Sequence, residues 1–393
     1  METSFQLMAA LDFPTLPQQL ANGILLGTIY ALIALGYTMV YGVLRLINFA
    51  HGEVYMLGAY TALFTSYWLG YRPGATNPPE SSIFNLVLML LAAMLVCSIV
   101  GIIIERFAYR PMRSHSRIAT LITAIGLSLF LQFGGALFLP TSPPPSISEQ
   151  VNPFRGQSMT MILKPAPPEI QQQADTMKPA YETAQQRFDE YLEANPGQDR
   201  FNLEPEGLAL RTEMQDAERA YQDLVRLSES SSVRIVIQTG QAIMLASTVV
   251  LMGILTYLVL FTKAGRAMRA VSHDFDSAAL MGVNVNNIVL FTFILGSALA
   301  GAAAMMTATF LGTPLTTFYG LQPGVKAFVA AVLGGIGNIP GAVLGGLLMG
   351  VAETLVVWFG YSEYRDAIAF IILIVVLLFR PGGLLGSAKV EKV

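Results

Sequence analysis

Polar and ionisable side chains cluster at the beginning of one of the chain's apolar runs. They are Asn48, His51 and Glu53, and Gly52 lies between the last two. Ionisable groups inside a bilayer cost on the order of 2.5–3.5 kcal/mol on insertion scales and usually face a bundle interior or water. Gly52 would weaken a helix here, and a broken helix exposes backbone donors and acceptors at membrane depth. The cluster is therefore a candidate for part of a transport pathway. An equally open alternative is a helix cap at the membrane interface, since Arg45 marks a charged boundary nearby.

The polar segment 263–288 lies between two long apolar runs and is a second candidate site. It begins with three positive charges, on Lys263, Arg266 and Arg269, and continues into a short amphipathic stretch. A membrane protein seldom needs an ordered helix in such a loop unless another protein docks there. The segment therefore indicates a chain that works with a partner.

The residue types at 276–282 suit a short helix that another protein could contact closely. Asp276 lies near the expected start of a helix, where its charge suits the helix dipole. Gly282 can end the helix, because glycine readily adopts the left-handed conformation found there. The residues between them that are small enough for close docking are Ser277, Ala278 and Ala279.

Glycine is dense after residue 324. Small residues let helices in lipid approach closely, and two G-x-x-x-G pairs occur in this region. The pairs are Gly341 with Gly345 and Gly346 with Gly350. Gly337 and Asn338 suggest a second role, in a flexible re-entrant turn that moves during gating and contributes to the pathway. The pattern fits both interpretations.

Several kinds of chemistry have no supporting motif. There is no G-x-x-x-x-G-K-[ST] phosphate loop, so the chain cannot hold a nucleotide in that manner. The three histidines are far apart in sequence, no H-E-x-x-H pair occurs, and Cys97 is the single cysteine. We therefore predict no catalytic residues, no metal site, no cofactor bound by this chain and no nucleic-acid partner.

The elements that must position these residues are membrane-spanning helices. Hydrophobic residues make up 53% of the 393 residues and charged residues only 12%, about half of the ~25% typical of soluble domains. Apolar runs of roughly 20 residues can cross the hydrocarbon core as helices. They cover 16–43, 49–71, 83–105, 118–139, 233–261 and 288–309, and are followed by the glycine-rich region 324–359 and by 367–379. The prediction is an all-α polytopic membrane protein with about eight transmembrane helices.

Basic residues set the expected orientation, because loops on the cytoplasmic side carry excess Lys and Arg. Three such clusters lie at 106–117, 263–269 and 380–392. Placing all three in the cytoplasm puts the N-terminus and the polar stretch 141–232 outside. The region 324–359 must then cross the membrane an even number of times, either as two short crossings or as a re-entrant pair.

The stretch 141–232 differs in composition from the rest of the chain. It holds 15 acidic and 8 basic residues, a net charge of −7. Spaced apolar residues predict helices over 175–194 and 205–227, with a turn at 195–197. We expect an extracytoplasmic helical hairpin; the alternative is a loosely ordered acidic loop. The chain thus divides into an N-terminal transmembrane half with four spans (1–140), the insert (141–232) and a C-terminal transmembrane half (233–393).

Three long runs carry a family resemblance: NGILLGTIYALIALGYTMVYGVLRLINFAHGEVYMLGAY, IERFAYRPMRS and KAFVAAVLGGIGNIPGAVLGGLLMGVAE. They resemble the permease subunit of branched-chain amino acid ABC transporters, of the LivH type. The resemblance covers residues 16–140 and 235–393. The insert 141–232 departs from the family pattern. The sequence DSAALMG at 276–282 also resembles the E-A-A-x-x-x-G signature of ABC importer permeases, with Asp for the Glu and Ser for the first Ala.

The resemblance implies an ABC importer permease fold, a bacterial cytoplasmic (inner) membrane location and a set of partners. These are a second, homologous permease subunit, two cytoplasmic ABC ATPase subunits that use the ATP, and an extracytoplasmic substrate-binding protein. In that family the loop 263–288 carries the coupling helix that enters a groove on the ATPase. The residues to which this assigns coupling are Arg266, Arg269, Asp276, Ser277, Ala278, Ala279 and Gly282.

The expected substrates are branched-chain or other neutral amino acids. Urea or short amides are the alternative within the same family. A third hypothesis, which the resemblance disfavours, is an ion-coupled secondary carrier that works alone and uses His51 and Glu53 as its ion site. No enzymatic activity is expected.

Overall fold

The computed structural model describes residues 15–72, 79–113, 115–140, 147, 151–195 and 203–386. In chain order the elements are α1 (Leu16–Leu44), α2 (His51–Trp68), α3 (Ile83–Ile104), α4 (Arg117–Phe138), β1 (Ser158–Lys164), α5 (Pro168–Ala194), α6 (Pro205–Ser231), β2 (Val233–Gln238), α7 (Thr239–Phe261), α8 (Lys263–His273), α9 (Phe275–Leu280), α10 (Val285–Met306), α11 (Leu321–Gly334), α12 (Ile339–Trp358) and α13 (Ala367–Phe379). π-Helical turns at Glu105–Tyr109 and Thr307–Leu311 extend α3 and α10.

The described chain divides into two compact units. One comprises Thr160–Val236 together with the chain up to Gln18, and the other comprises Gln19–Met159 and Ile237–Val393. The larger unit contains the apolar helices. Those long and apolar enough to cross a membrane are α1, α3, α4, α7, α10 and α12, with their π-helical extensions. With α2, α11 and α13 the described chain has nine largely apolar helices, and the predicted class, an all-α polytopic membrane protein, is confirmed.

The helices follow the apolar runs closely, with one clear exception. The fifth run was expected to be helical from residue 233, and this is wrong: Val233–Gln238 form the strand β2, and α7 begins at Thr239. The segment VRIVIQ is rich in β-branched residues, which favour strands. It pairs with β1 in a two-stranded sheet.

The glycine-rich region forms two helices, α11 and α12, rather than one span. The turn between them contains Gly335 and Gly337, whose φ angles are +107° and +91°. Residues other than glycine rarely adopt such angles. Asn338 then begins α12, because its side chain accepts a hydrogen bond from the Gly341 backbone N–H. The region is thus a pair of helices joined near Gly337, which both expected arrangements require.

Helix α1 is the most buried of the six long apolar helices, and α2 begins beside it. His51, the first residue of α2, packs against Gly36 of α1 so closely that any side chain at Gly36 would overlap the imidazole. Gly36 lies eight residues before the end of α1, about 12 Å along its axis at 1.5 Å per residue. The link between the two helices therefore folds back, and α2 starts well inside the bundle.

The smaller unit contains a pair of long helices, α5 and α6, in the region where helices 175–194 and 205–227 were expected. They lie against each other through apolar residues: Phe188 is buried, and the rings of Tyr181 and Tyr221 stack with centroids 5.7 Å apart. Gln18 bonds to the Val236 backbone in both directions, at 3.0 and 2.6 Å. Of the predicted turn, Pro196 and Gly197 lie outside the described residues.

Candidate functional site

A cavity of about 140 Å³ lies where α2 and α11 begin. Four helices form its wall: α1 contributes Tyr37, α2 contributes Gly52 and Glu53, α4 contributes Ser128, and α11 contributes Val325. These residues are widely separated in sequence, and only the fold brings them together.

Gly52 lets the starts of α2 and α11 approach each other. A Cβ atom at this position would lie 2.7 Å from the Gly320 carbonyl oxygen and 3.4 Å from the Cα of Gly324. Any side chain here would force the two helices apart. The glycine that was expected to weaken a helix is in the first turn of α2, and the contact it permits forms one side of the cavity.

Glu53 is the ionisable side chain of the cavity wall. It is 2% exposed, and its Oε1 accepts a hydrogen bond from the Ser128 hydroxyl at 3.1 Å. Its Oε2 has no hydrogen-bond partner among the described residues. Buried polar atoms are normally satisfied, and each exception needs an explanation.

Asn48 and His51 lie behind the cavity rather than on its wall. Asn48 Oδ1 accepts a hydrogen bond from the Tyr109 hydroxyl at 3.0 Å. The His51 ring makes an edge contact with Tyr37 at 4.6 Å between centroids. Both side chains are buried, and α2 has no side-chain cap. Neither side chain therefore caps α2, as the helix-cap alternative would require.

Gly337 and Asn338, which were grouped with Glu53 in the pathway hypothesis, lie at a different place. They line a second pocket, of about 930 Å³, together with Arg45, Arg269 and His273. The Asn338 amide also donates to the Leu385 carbonyl at 2.7 Å. This turn therefore lies beside the start of the loop 263–288.

Two short helices, α8 and α9, form the loop 263–288. Asp274 begins α9, because its side chain accepts a hydrogen bond from the Ser277 backbone N–H at 2.6 Å. That bond holds the pKa of the Asp274 carboxyl below its usual value. Gly282 ends the helical turn with φ +84°, and its N–H donates to the Ala279 carbonyl. The cap is thus Asp274, while Asp276 lies in the first turn.

The outer face of α9 is exposed and carries two large apolar side chains. Leu280 is 88% exposed and Met281 is 84% exposed. The predicted docking residues that are exposed beside them are Asp276, Ser277, Ala279 and Gly282. Ala278 is buried and anchors the helix from below. Leu280 and Met281 were missed from the sequence; the signal that could have found them is their place directly before Gly282.

The two predicted arginines have different surroundings. Arg269 donates to the backbone carbonyls of Val259 and Leu260, at the end of α7. It therefore satisfies carbonyl groups that a helix end leaves free. Arg266 is exposed on α8. Of the two, Arg266 is the one available to a partner.

A buried ionic network in α11 and α12 was missed from the sequence. Lys326 Nζ lies 2.7 Å from Glu353 Oε1 and 2.6 Å from Asp366 Oδ1. Arg365 also pairs with Glu353 Oε1, and the Tyr30 hydroxyl donates to Glu353 Oε2 at 2.7 Å. Lys326 and Glu353 are the lone charged residues of their apolar helices. A charge inside an apolar run is the signal that would have found them.

Two of the arginines counted as a cytoplasmic cluster are paired. Glu105, which is fully buried, accepts hydrogen bonds from Arg110 and forms an ion pair with Arg113. Arg113 also donates to Asn286 at the start of α10, at 2.8 Å. These contacts fix the end of α3 to the start of α10, the helix that follows α9.

Comparison with known proteins gives a consistent result. A family model described as branched-chain amino acid transport system / permease component matches residues 19–377. The chain is 38% identical over 380 residues to the high-affinity branched-chain amino acid transport system permease protein BraD of Pseudomonas aeruginosa, covering 96% of this chain and 97% of that one. It is 35% identical to the corresponding permease protein LivH of Escherichia coli K12, over 379 residues and the same shares.

LivH of Salmonella typhimurium is likewise 35% identical, over 376 residues. No solved structure matches the chain. The family match spans both transmembrane halves, including every residue described above for the cavity and for α9. The chain therefore belongs to the family of permease components of branched-chain amino acid transport systems.

Proposed function

We propose that this chain is the transmembrane permease subunit of an ATP-driven ABC importer for branched-chain or other neutral amino acids. Its location is the bacterial cytoplasmic (inner) membrane. It pairs with a second, homologous permease subunit, two cytoplasmic ABC ATPase subunits and an extracytoplasmic substrate-binding protein. The chain binds no cofactor, and ATP is used by the ATPases. Support comes from the family membership and from relatives named as branched-chain amino acid permeases.

The observation that carries the proposal is the exposed end of α9. Leu280 and Met281 project from a short helix that is capped by Asp274 and ended by Gly282. Large apolar side chains that are exposed together and surrounded by polar residues mark a surface that a partner protein can cover. The ATPase is the proposed partner, and Asp276, Ser277, Ala279 and Arg266 surround these two apolar anchors.

The pathway in this proposal passes the cavity beside Gly52 and Glu53. Asn48 and His51 support it from behind through Tyr109 and Tyr37. Gly337 and Asn338 act at the second pocket, next to α8, so that a movement of the docking loop would displace them directly. Coupling and passage are thus assigned to different residues.

Two observations argue against the alternative functions, a secondary carrier that works alone and an importer of urea or short amides. A carrier that works alone has no need of an exposed apolar pair on an ordered loop. An importer of urea or short amides would not need an acidic side chain in its cavity, because those substrates carry no positive charge. The exposed pair therefore favours an ATPase-coupled importer, and the acidic side chain favours amino acids as its substrate.

The test replaces both anchors by serine, in Leu280→Ser/Met281→Ser. Because the side chains are exposed, folding should be retained, while the ATPase subunits no longer co-purify with the permease. Binding-protein-dependent leucine uptake into proteoliposomes should fall to background. The control for ATPase co-purification is Leu208→Ser/Leu227→Ser, which removes two exposed apolar residues of α6 and should leave the ATPases bound.

Retention of the ATPases by the α9 variant would show that docking occurs elsewhere. Uptake by the purified chain alone, under an ion gradient and without ATPases, would favour the secondary carrier. Accumulation of urea in place of leucine would favour the amide importer.

A further inference from the structure

The cavity beside Glu53 contains an acceptor that the protein leaves unused. Glu53 Oε1 is satisfied by Ser128, whereas Oε2 is buried without a partner among the described residues. Elsewhere in the described chain, the buried Glu353 has Lys326, Arg365 and Tyr30 on its two oxygens. The two side chains are of one type and are similarly buried, but only Glu53 has a free oxygen beside a cavity.

A ligand with a positively charged hydrogen-bond donor would satisfy the unpaired Oε2 of Glu53. A buried carboxylate is costly unless it is paired and hydrogen-bonded. None of the described residues on the cavity wall is Lys, Arg or His. The described wall thus offers Glu53 no cation, whereas the ammonium group of a molecule that enters the cavity would supply both a charge and hydrogen-bond donors.

The other residues of the cavity wall indicate what the uncharged part of that ligand is. Leu129, Leu321, Val325 and Phe328 make it largely apolar. Its volume of about 140 Å³ is close to that of an apolar cavity of about 150 Å³ that admits a benzene-sized molecule. A small branched aliphatic amino acid is of about this size. On one side Ile125 and Leu129 are partly exposed, which leaves an entrance.

The start of α11 offers a place for a negative group of the same molecule. Gly320, Leu321 and Gly324 border the cavity, and the first turn of α11 contains no acidic residue. The positive end of its helix dipole is therefore not offset from within the helix. Helices that begin at membrane depth serve anionic substrate groups in this way.

We propose that this cavity is a transient binding site for a zwitterionic aliphatic amino acid in transit, with Glu53 holding the α-ammonium group. The inference rests on the proposed function and adds to it the ligand chemistry of the permease itself. Ser128 orients the carboxylate, α11 faces the carboxyl end of the ligand, and Val325 and Phe328 contact its side chain.

The experiment uses the assembled importer in proteoliposomes, with leucine uptake and ATP hydrolysis measured in the same vesicles. In Glu53→Gln, uptake should fall about tenfold, the scale of one lost charge-assisted hydrogen bond. Subunit co-purification and basal ATP hydrolysis should stay at the unsubstituted level. Glu53→Asp keeps the charge and should recover part of the uptake. Glu363→Gln, an exposed carboxyl outside the cavity, is the control.

A second measurement tests the ligand directly. Radiolabelled leucine is bound to the purified permease complex without binding protein, and 4-methylpentanoate, which has the same carbon skeleton without the amine, is used as competitor. We expect leucine to bind and 4-methylpentanoate not to displace it. Glu53→Gln should abolish the difference between the two compounds.

Steric filling gives a third, independent variant. Val325→Phe reduces the cavity without altering its charge and should also lower uptake, whereas Leu121→Phe on the exposed face of α4 should not. Uptake at the wild-type level in Glu53→Gln would overturn this inference. If Glu53→Gln does not assemble, uptake at the wild-type level in Val325→Phe would overturn it. The proposed function would survive that result, because the α9 variants test it separately; an unsubstituted importer that takes up no amino acid would overturn both.

Discussion

At the scale of single residues, Glu53 and Glu353 show how the same side chain takes different roles. Glu353 has both oxygens occupied, by Lys326, Arg365 and Tyr30, so it joins α1, α11 and the link before α13. Glu53 has one oxygen free beside a cavity. A buried carboxylate with partners on both oxygens stabilises the structure, whereas one with an unpaired oxygen in a cavity is available to a ligand.

The network around Glu353 predicts coupled effects on stability. Removing one partner of a buried ion pair leaves an uncompensated charge and costs up to about 3–5 kcal/mol. We therefore expect Lys326→Met and Glu353→Leu each to lower the thermal unfolding temperature in detergent. The double variant should lose less than the sum of the two, because it leaves neither charge alone. Arg187→Met breaks the exposed pair with Glu213 and should cost no more than about 1 kcal/mol; additive losses in the double variant would contradict the coupling.

At the scale of elements, glycine decides how closely α12 approaches its neighbours. A Cβ atom added at Gly346 would lie 2.7 Å from the Cβ of Ala31 in α1, and one at Gly345 would overlap the Ala330 carbonyl oxygen of α11. The G-x-x-x-G pairs thus face two different helices. Close packing explains these glycines, while the gating hypothesis applies only to the turn at Gly337 and Asn338.

This packing makes a direct prediction. Gly346→Ala overfills the contact between α12 and α1 and should cost about 1–3 kcal/mol, seen as a lower unfolding temperature of the purified chain. Gly253→Ala in α7 is the matched control, since nothing lies within 4 Å of its Cβ position. It should be neutral or stabilising by up to about 1 kcal/mol, because alanine favours helices. Equal unfolding temperatures for the two variants would rule out close packing at Gly346.

For the whole molecule, the sequence predicts the helices better than it predicts the site. Apolar runs located the spans within a few residues, because length and hydrophobicity alone decide whether a helix crosses a bilayer. The strand at Val233–Gln238 was missed, since a short apolar run can form either structure. Glu53 was recognised as a rare charge, but Ser128 and Val325 are ordinary residues in distant helices. Only tertiary packing places them beside it.

The smaller unit supplies the last prediction, at the scale of the whole chain. Gln157 and Thr239 flank the strand pair, and the Thr239 N–H donates to the Gln157 carbonyl at 3.0 Å. A short Gly/Ser loop could therefore replace 158–238. Because the apolar helices belong to the other unit, the shortened chain should still insert into membranes and co-purify with the ATPases.

What the shortened chain should lose is its affinity for the binding protein or for the partner permease. The excised region belongs to the insert that carries the net charge of −7, and surface charge raises association rates in a salt-dependent way. Association of the binding protein with the intact complex should therefore weaken as ionic strength rises, while the shortened complex should bind weakly and respond little to salt. If the hairpin contacts the partner permease instead, the shortened chain should no longer co-purify with that permease. Equal affinity, equal salt dependence and unchanged permease pairing would show that the hairpin has no part in assembly, since a contact made by this charge cannot persist after the charge is removed.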